Sequence, residues 1–305
     1  YAQQDRFNLA ILETLKQYIY VFKEKKILNN KKNFGQLSVI SETFQRCYLS
    51  DPKTGEYFLN LINNKEADFT RYTYFYLTYL IENSSIKKAE EITDNIKFID
   101  TTLLLSQGKS WIDNKNSKKL TSVFSCKNHN DVISEFLFLI SNLYSTQDDI
   151  EESNFYLNLS NFLNSKFVYN LSLTAENHFS NKEYKKAKKT LKKFKKEDDL
   201  YYWYRLKKEA QIIAKQRNKE ESLNYITSNF DDIKQPNRRM ILDIANFYKN
   251  SKKYEKAAKY YSEIINSLNK DPQIKSDVLY RRGGSYERLG NYEDADKDLL
   301  NSLKI

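Results

Sequence analysis

The 305-residue sequence contains few residues that form turns or interrupt helices, with only 6 glycines and 3 prolines. Proteins built on β-sheets, whether antiparallel or alternating with helices, need turn residues at most changes of direction, so this composition disfavours both classes. A chain made almost entirely of helices needs few of them. The shortage of glycine and proline therefore predicts an all-α protein.

Cysteine and histidine are also scarce, with two residues of each. Cys47 and Cys126 are far apart in the sequence and neither belongs to a CxxC pair, so a disulfide framework is not needed and a zinc site with cysteine ligands is not supported. His129 and His178 lie in different predicted hairpins and show no metal-binding spacing such as HExxH. We predict no metal and no cofactor.

Catalytic motifs are absent as well: the sequence contains no GxSxG, no P-loop and no GxGxxG. The pairs Asp198-Asp199 and Asp231-Asp232 fall in predicted loops or at helix ends, where solvated charge explains them better than acid–base catalysis. Gly283-Gly284 lies inside a predicted helix, where close packing explains it better than phosphate binding. We predict that the protein is not an enzyme.

No apolar run approaches the roughly 20 residues of a membrane-spanning helix, so we predict no transmembrane segment in this chain. The sequence begins at Tyr1 rather than at a methionine, and an export signal could have been removed before that residue. The localisation therefore stays open between the cytoplasm and export.

The surface charge is mixed, with a basic excess. The chain has 50 basic and 40 acidic residues and a net charge of +10. Such a balance favours attraction to nucleic acid or anionic membranes and carries no information about the fold. The 24 tyrosines and 18 phenylalanines supply much of the core volume, together with isoleucine and leucine.

Apolar residues three and four positions apart predict helices along the whole chain. Residues 1–66 are helical but irregular, and their first helix carries an apolar stripe of Leu9, Leu12, Leu15, Ile19 and Phe22. From about residue 67 the predicted helices come in pairs joined by short polar turns. The last five pairs are 131–144 with 150–163, 170–179 with 184–194, 202–214 with 220–230, 238–248 with 254–268, and 276–289 with 292–303.

A repeat is visible in the second helices of these pairs. Each has a small or turn-facing residue early in the helix, at Ser153, Ala187, Ser222, Ala257 and Ala295, and the steps between these positions are 34, 35, 35 and 38 residues. A helix-turn-helix unit with a period near 34 residues is typical of one family of helical repeats.

The residues around these positions resemble the tetratricopeptide repeat (TPR). The best match has Ala245, Tyr248, Tyr254, Ala257 and Tyr261, with Pro272 ending the unit, and the terminal match has Gly283, Tyr286, Tyr292, Ala295 and Leu299. The clear matches cover about residues 133–305, and the chain as a whole is similar to divergent TPR proteins of AT-rich bacteria. The resemblance implies an all-α protein with a right-handed α-α superhelix, a TPR-like solenoid over residues 67–305 that follows the irregular segment 1–66.

The resemblance also implies a function. The first helices of TPR hairpins line a concave groove that binds a peptide or a partner protein, so we expect a non-catalytic scaffold or adaptor. The expected groove positions are Phe138, Asn142, Glu176, Lys207, Gln211, Arg239, Asn246 and Tyr280. They do not reproduce the family's carboxylate clamp, which disfavours a receptor for acidic C-terminal tails, whereas asparagine amides suit an extended peptide.

Two other functions stay open. A basic run over Lys185–Lys196, placed on a helix, suggests RNA or another polyanion as the alternative partner, although a solvated outer face explains the run more simply. The residues that would carry this binding are Lys192, Lys193, Lys195, Lys196, Arg238 and Arg281. The third hypothesis is a self-assembling structural subunit that uses open solenoid ends as interfaces. The last hairpin ends at Ile305 without a capping helix, so a further stretch of chain or a partner is expected at that end.

Overall fold

The computed structural model describes residues 2–29, 32–64, 70–96, 101–269 and 271–305. Within these ranges the regular secondary structure is entirely helical, and the all-α prediction is confirmed. The chain forms two compact units. The first comprises the described residues of Tyr1–Ile96 and Thr102–Thr190, and the second comprises Leu191–Ile305 together with Thr101.

The helices of the first unit are short, and most are antiparallel neighbours in hairpins. They are α1 (Ala2–Glu24), α2 (Gln36–Tyr48), α3 (Thr54–Ile62), α4 (Thr70–Glu82), α5 (Ile86–Asp94), α6 (Leu103–Asp113), α7 (Lys118–Val123), α8 (His129–Ser145), α9 (Ile150–Leu163), α10 (Asn170–Ser180) and α11 (Tyr184–Leu191). The last residue of α11 belongs to the second unit.

The second unit contains three hairpins. Its helices are α12 (Asp199–Gln216), α13 (Lys219–Asp231), α14 (Arg238–Asn250), α15 (Tyr254–Ile265), α16 (Pro272–Leu289) and α17 (Tyr292–Leu303), and a 3-10 turn at Asn266–Leu268 continues α15. In the described ranges of both units, no helix combines the length and the apolar character that crossing a bilayer requires.

The hairpins share one turn geometry. In seven of them a residue with positive φ ends the first helix, at Ser50, Ser84, Lys115, Asp148, Lys182, Lys252 and Gly290. The residue after it donates its backbone N–H to the carbonyl five positions earlier, as Asp149 does to Tyr144 and Asn291 to Tyr286. This hydrogen bond satisfies a carbonyl that the helix end would leave unpaired. The recurring turn is the structural repeat that the 34-residue period indicated.

The same turn occurs between α2 and α3, where the sequence does not fit the family pattern. Its left-handed residue, Ser50, lies 34 positions before Ser84, which holds the same place between α4 and α5. The hairpin geometry therefore begins earlier than the recognisable residue pattern. The boundary near residue 67, between an irregular segment and a solenoid, stays a prediction.

The face of α1 that packs inward overlaps the predicted stripe only in part. Leu9, Leu12 and Ile19 are exposed, whereas Ile11 and Tyr18 are buried on a different face of the helix. The Tyr18 ring lies 5.7 Å from the ring of Phe136 in α8. Leu15 and Phe22 pack against the core of the first unit, so only these two residues of the five-residue stripe are shown to pack inward.

Aromatic side chains fill the core of the first unit. The ring of Phe75 lies 5.2 Å from that of Phe44 and 4.6 Å from that of Phe124, so α2, α4 and the segment after α7 meet at one point. Near this cluster, Cys47 at the end of α2 and Cys126 after α7 form a disulfide between buried positions. The sequence analysis did not anticipate this bond, because the two cysteines are 79 residues apart and belong to no recognisable motif.

Small residues let the helices of the second unit approach closely. Ala245 in α14 and Ala257 in α15 are fully buried, and Tyr261 packs in the same core. Each is a residue on which the predicted hairpin rested, so the residue pattern coincides with the observed packing. Pro272, which marks the end of this unit in the sequence, lies in the first turn of α16, where a proline leaves no helical hydrogen bond unmade.

Two adjacent glycines of α16 give a matched test of this packing. A Cβ atom at Gly283 would lie 3.0 Å from Cγ of Leu299 and 3.2 Å from the carbonyl oxygen of Ala295, both in α17, whereas one at Gly284 would meet no atom within 4 Å. We expect Gly283→Ala to lower the free energy of unfolding by about 1–3 kcal/mol, because the overpacked helices must separate. Gly284→Ala should raise it by about 0.5–1 kcal/mol, because glycine inside a helix costs conformational entropy. Urea unfolding of both variants measures the difference, and equal shifts would contradict the close contact of α16 with α17.

Candidate functional site

A pocket of about 330 Å³, lined mostly by residues with polar side chains, lies in the second unit, where α12, α13 and α14 meet. Helices α12 and α14 are the first helices of successive hairpins, and both turn one face toward the pocket. The lining residues are Lys207, Gln211 and Ala214 of α12, Lys219 and Ser222 of α13, Asp243, Asn246, Phe247 and Asn250 of α14, and Ser251 after it. On α12 and α14 these residues recur at three- and four-residue steps, so each helix contributes a single stripe.

Asp243 is the most firmly held polar side chain of the pocket. Its Oδ2 accepts a hydrogen bond from Nε1 of Trp203 at 2.8 Å, and its Oδ1 forms an ion pair with Nζ of Lys207 at 2.7 Å. Both partners belong to α12, so the carboxylate links the two first helices across the pocket. Because both oxygens are engaged, Asp243 fixes the position of Lys207 more than it offers free charge to a ligand.

Asn246 is oriented by two donors from later helices. Its Oδ1 accepts hydrogen bonds from the hydroxyl of Tyr261 at 2.7 Å and from Nη1 of Arg281 at 3.1 Å. Burial raises the pKa of Tyr261 to about 12, so the phenol stays protonated at neutral pH and acts as a donor. Since an arginine can only donate, the amide oxygen must face Arg281 and the amide NH2 group points away from it. That NH2 group is the part of Asn246 that can donate to a ligand.

The rest of the lining combines amide and apolar groups. Gln211 and Asn250 add two further amides, Phe247 and Ala214 add apolar surface, and Lys219 adds an exposed ammonium group. Amides can both donate to and accept from a peptide backbone, and an apolar patch beside them can hold a side chain. In the described ranges, no group of three or more His, Cys, Asp and Glu side chains is arranged to hold a metal ion.

Of the eight predicted groove residues, the pocket brings three together: Lys207, Gln211 and Asn246. Two others of the second unit lie outside its lining. Tyr280 is exposed on α16, and Arg239 donates from Nη2 to the backbone carbonyl of Thr101 at 3.0 Å. Arg239 is therefore held by the chain itself.

The other three predicted groove residues belong to the first unit. Asn142 is exposed on α8 and Glu176 is partly buried on α10. Phe138 was expected to face the groove, and this prediction was wrong, since the side chain is buried with 7% exposure. The guanidinium carbon of Arg71 lies 3.9 Å from the centre of its ring, where a cation–π contact stabilises the pair. Arg71 is held there by its ion pair with Glu135, so the ring is covered from inside the protein.

The basic residues of the polyanion hypothesis all lie in the second unit, but not on one helix. Helix α11 ends at Leu191, so Lys192, Lys193, Lys195 and Lys196 occupy the exposed segment after it, and their predicted helical placement was wrong. The arginines have partners within the protein. Arg238 donates to the carbonyl of Ser267 at 3.1 Å, and Arg281 pairs with Asp277 at 2.8 Å and with Asn246.

The sequence did not single out Asp243, Phe247 and Asn250. A signal was present, because these residues and Asn246 lie at positions i, i+3, i+4 and i+7 of one helix and three of the four are polar. The ion pair between α12 and α14 could not be read from that spacing, since it depends on which residue of the preceding hairpin lies opposite.

Comparison with known proteins supports the repeat assignment. Residues 239–267 and residues 277–304 each match a family model described as tetratricopeptide repeat. No curated protein matches the chain significantly. Among solved structures, the crystal structure of the P58(IPK) TPR domain shares 12% sequence identity over 96% of this chain and 92% of that one, with a TM-score of 0.27. A likeness at that score carries no weight for this chain's fold or function. The two family matches coincide with helices α14–α15 and α16–α17 and show that the chain contains tetratricopeptide repeats over residues 239–267 and 277–304.

Proposed function

We propose that this protein is a non-catalytic scaffold that binds an extended peptide segment of a partner protein in the pocket between α12 and α14. Tetratricopeptide repeats are in general modules for protein–protein interaction. The observation that carries the proposal is the fixed amide of Asn246, whose oxygen is held by Tyr261 and Arg281 so that its NH2 group is free to pair with a ligand.

The neighbouring groups favour a peptide over a small charged metabolite. Of the two lysines that line the pocket, Lys207 is already paired with Asp243, so its charge is balanced within the pocket. Three amide side chains from two helices can follow a backbone that runs along the stripe, with Phe247 beside them for one apolar side chain. A volume of about 330 Å³ is small among ligand pockets and suits a few residues of a longer segment.

A binding experiment tests this proposal. A displayed library of random peptides is selected on the whole protein, and the affinity of a selected peptide is then measured for variants. We expect Asn246→Ala to weaken binding by roughly tenfold and Gln211→Ala by roughly threefold, because each loses hydrogen bonds to the backbone. Asn246→Ala also frees its partners Tyr261 and Arg281, so Gln211→Ala serves as the variant with an undisturbed interior. Unchanged affinity in both variants would contradict the proposal.

A polyanion remains the alternative partner, because the four lysines after α11 are exposed. If it is the physiological ligand, replacing Lys192, Lys193, Lys195 and Lys196 by Gln abolishes binding of single-stranded RNA, and the affinity falls steeply with salt. The same quadruple variant should bind the selected peptide as the wild type does. Loss of peptide binding in it would place the interaction on the lysine segment and overturn the choice of the pocket.

A further inference from the structure

Helix α9 of the first unit presents an apolar stripe to solvent. Phe155, Leu159 and Phe162 are 54%, 38% and 84% exposed, and they lie at positions i, i+4 and i+7 of one helical face. Two exposed phenylalanines within two helical turns are unusual on a protein surface that faces solvent. Contiguous exposed apolar patches of this kind mark interaction sites. The stripe lies outside the peptide pocket and has no part in the function proposed above.

The opposite face of α9 is fixed rigidly to α8. Ser153 and Ser160 are fully buried, and their hydroxyl groups lie 3.0 Å and 3.1 Å from those of Ser141 and Ser134. Asparagines from α10 complete both contacts: Nδ2 of Asn177 donates to Ser153 at 2.8 Å, and Nδ2 of Asn170 donates to Ser160 at 2.9 Å. Because polar contacts fix α9 at two levels, it cannot rotate to bury the stripe without breaking them.

The charges around the stripe are arranged so that it complements itself. Glu151 and Glu152 are exposed at the beginning of α9, and Lys166 is exposed just after its end. A two-fold axis between residues 158 and 159 would place Phe155 of one copy against Phe162 of the other. The same axis would bring Glu151 of one copy toward the turn after α9 that carries Lys166 of the other, twice by symmetry. In the parallel arrangement each charge would face its like, which is unfavourable.

We propose that α9 is the interface of a homodimer in which two copies of the chain pair their α9 helices antiparallel about this axis. Such an interface is isologous, with the same residues on both sides, as closed dimers require. It would be modest, built on three apolar side chains from each copy and two ion pairs in the whole dimer, which is typical of weak and reversible association. Its consequence is bivalence, because a dimer carries two peptide pockets and a partner with two binding segments gains avidity.

The first test is sedimentation velocity of the whole protein over a concentration series. We expect a monomer–dimer equilibrium for the wild type and a roughly hundredfold weaker dimer for Phe162→Glu, since a charge replaces the ring on both sides. The ring is exposed, so this variant should remain folded, and circular dichroism confirms it. Ile19→Glu is the matched control, since it changes an exposed apolar residue of the same unit on α1 and should leave the equilibrium unchanged. A wild type that is monomeric at all concentrations, or a dimer that only Ile19→Glu disrupts, would overturn the proposal.

A charge exchange tests the orientation of the helices. Glu151→Lys and Lys166→Glu each turn two attractive contacts into repulsive ones, and we expect each to weaken the dimer by roughly tenfold. The double variant restores both pairs and should dimerise like the wild type, and an equimolar mixture of the two single variants should form heterodimers. Single variants that dimerise as well as the wild type would exclude the antiparallel pairing.

A cysteine probe locates the axis. Asn158→Cys places two thiols close to the axis and should give an intermolecular disulfide on mild oxidation, whereas Glu151→Cys places them about 22 Å apart along the helix and should not. Disulfide formation at both positions would show a parallel dimer, in which every residue faces its own copy, and would overturn the proposed geometry. The native cysteines do not interfere because they are buried and joined to each other.

Discussion

Removal of the Cys47–Cys126 disulfide is expected to lower the free energy of unfolding of the first unit by about 4 kcal/mol. The bond closes a loop between residues 79 positions apart, and a cross-link over such a loop restricts the unfolded chain strongly. The Cα atoms of the two residues are 5.8 Å apart in a well-packed core, so alanine at both positions should leave the fold in place. The Cys47→Ala/Cys126→Ala variant and the reduced wild type should show the same loss in guanidinium unfolding.

The two tryptophans allow this loss to be located. Trp111 lies in α6 of the first unit and Trp203 in α12 of the second. In a Trp203→Phe background, the fluorescence of Trp111 follows the first unit alone, and its unfolding midpoint should fall when the disulfide is removed. In a Trp111→Phe background, the midpoint of the second unit should change much less. Two free thiols per chain in the oxidised, denatured wild type would contradict the disulfide itself.

The second large effect is expected at the buried ion pair of the first unit. Nε and Nη2 of Arg71 donate to the two carboxylate oxygens of Glu135 at 2.8 Å and 2.6 Å, and Nη2 also donates to Asn170 at 3.2 Å. Arg71→Ala should lower the free energy of unfolding by about 3–5 kcal/mol, because it leaves a carboxylate buried without a partner. Equilibrium unfolding followed by Trp111 measures the loss. Arg71→Lys should recover only part of it, since lysine keeps the charge but not the paired hydrogen bonds or the stacking on Phe138.

The pH dependence of this variant gives an independent check. Burial raises the pKa of Glu135, and the nearby Arg71 opposes that rise. In Arg71→Ala the opposing charge is gone, so the folded protein binds a proton more readily than the unfolded chain. The stability of the variant should therefore be greatest below the ordinary pKa of a glutamate and should fall as the pH rises above it. Glu135→Gln in the same background should remove this pH dependence. If the difference in unfolding free energy between Arg71→Ala and the wild type does not change with pH, Glu135 is not the group responsible.

Most of the helices could be predicted from the sequence, because apolar spacing and polar turns carry that information directly. The predicted helices 150–163 and 292–303 coincide with α9 and α17, and the small residues Ala245, Ala257 and Ala295 are buried where the repeat requires them. These features depend on residues close together in the chain, and local periodicity records them well.

Features that depend on distant residues could not be predicted. Cys126, the disulfide partner of Cys47, is 79 positions away. Glu135, the ion-pair partner of Arg71, lies in another hairpin. Arg71 stacks on the ring of Phe138 from a helix far away in the sequence, so local periodicity could not show that the ring is covered. The shared turn between α2 and α3 was missed for another reason: its left-handed residue is Ser50, a type with no special preference for that conformation.

The most direct test of peptide binding between α12 and α14 is to find where the bound partner contacts the protein. A photoreactive amino acid is placed at position 211 in the pocket, at position 280 on α16, and at position 193 in the lysine segment, and each protein is irradiated in its native cells. We expect cross-links at position 211 to one short segment of a partner protein, identified by mass spectrometry, and few at the other two positions. Cross-links to nucleic acid at position 193, without a protein adduct at position 211, would contradict it.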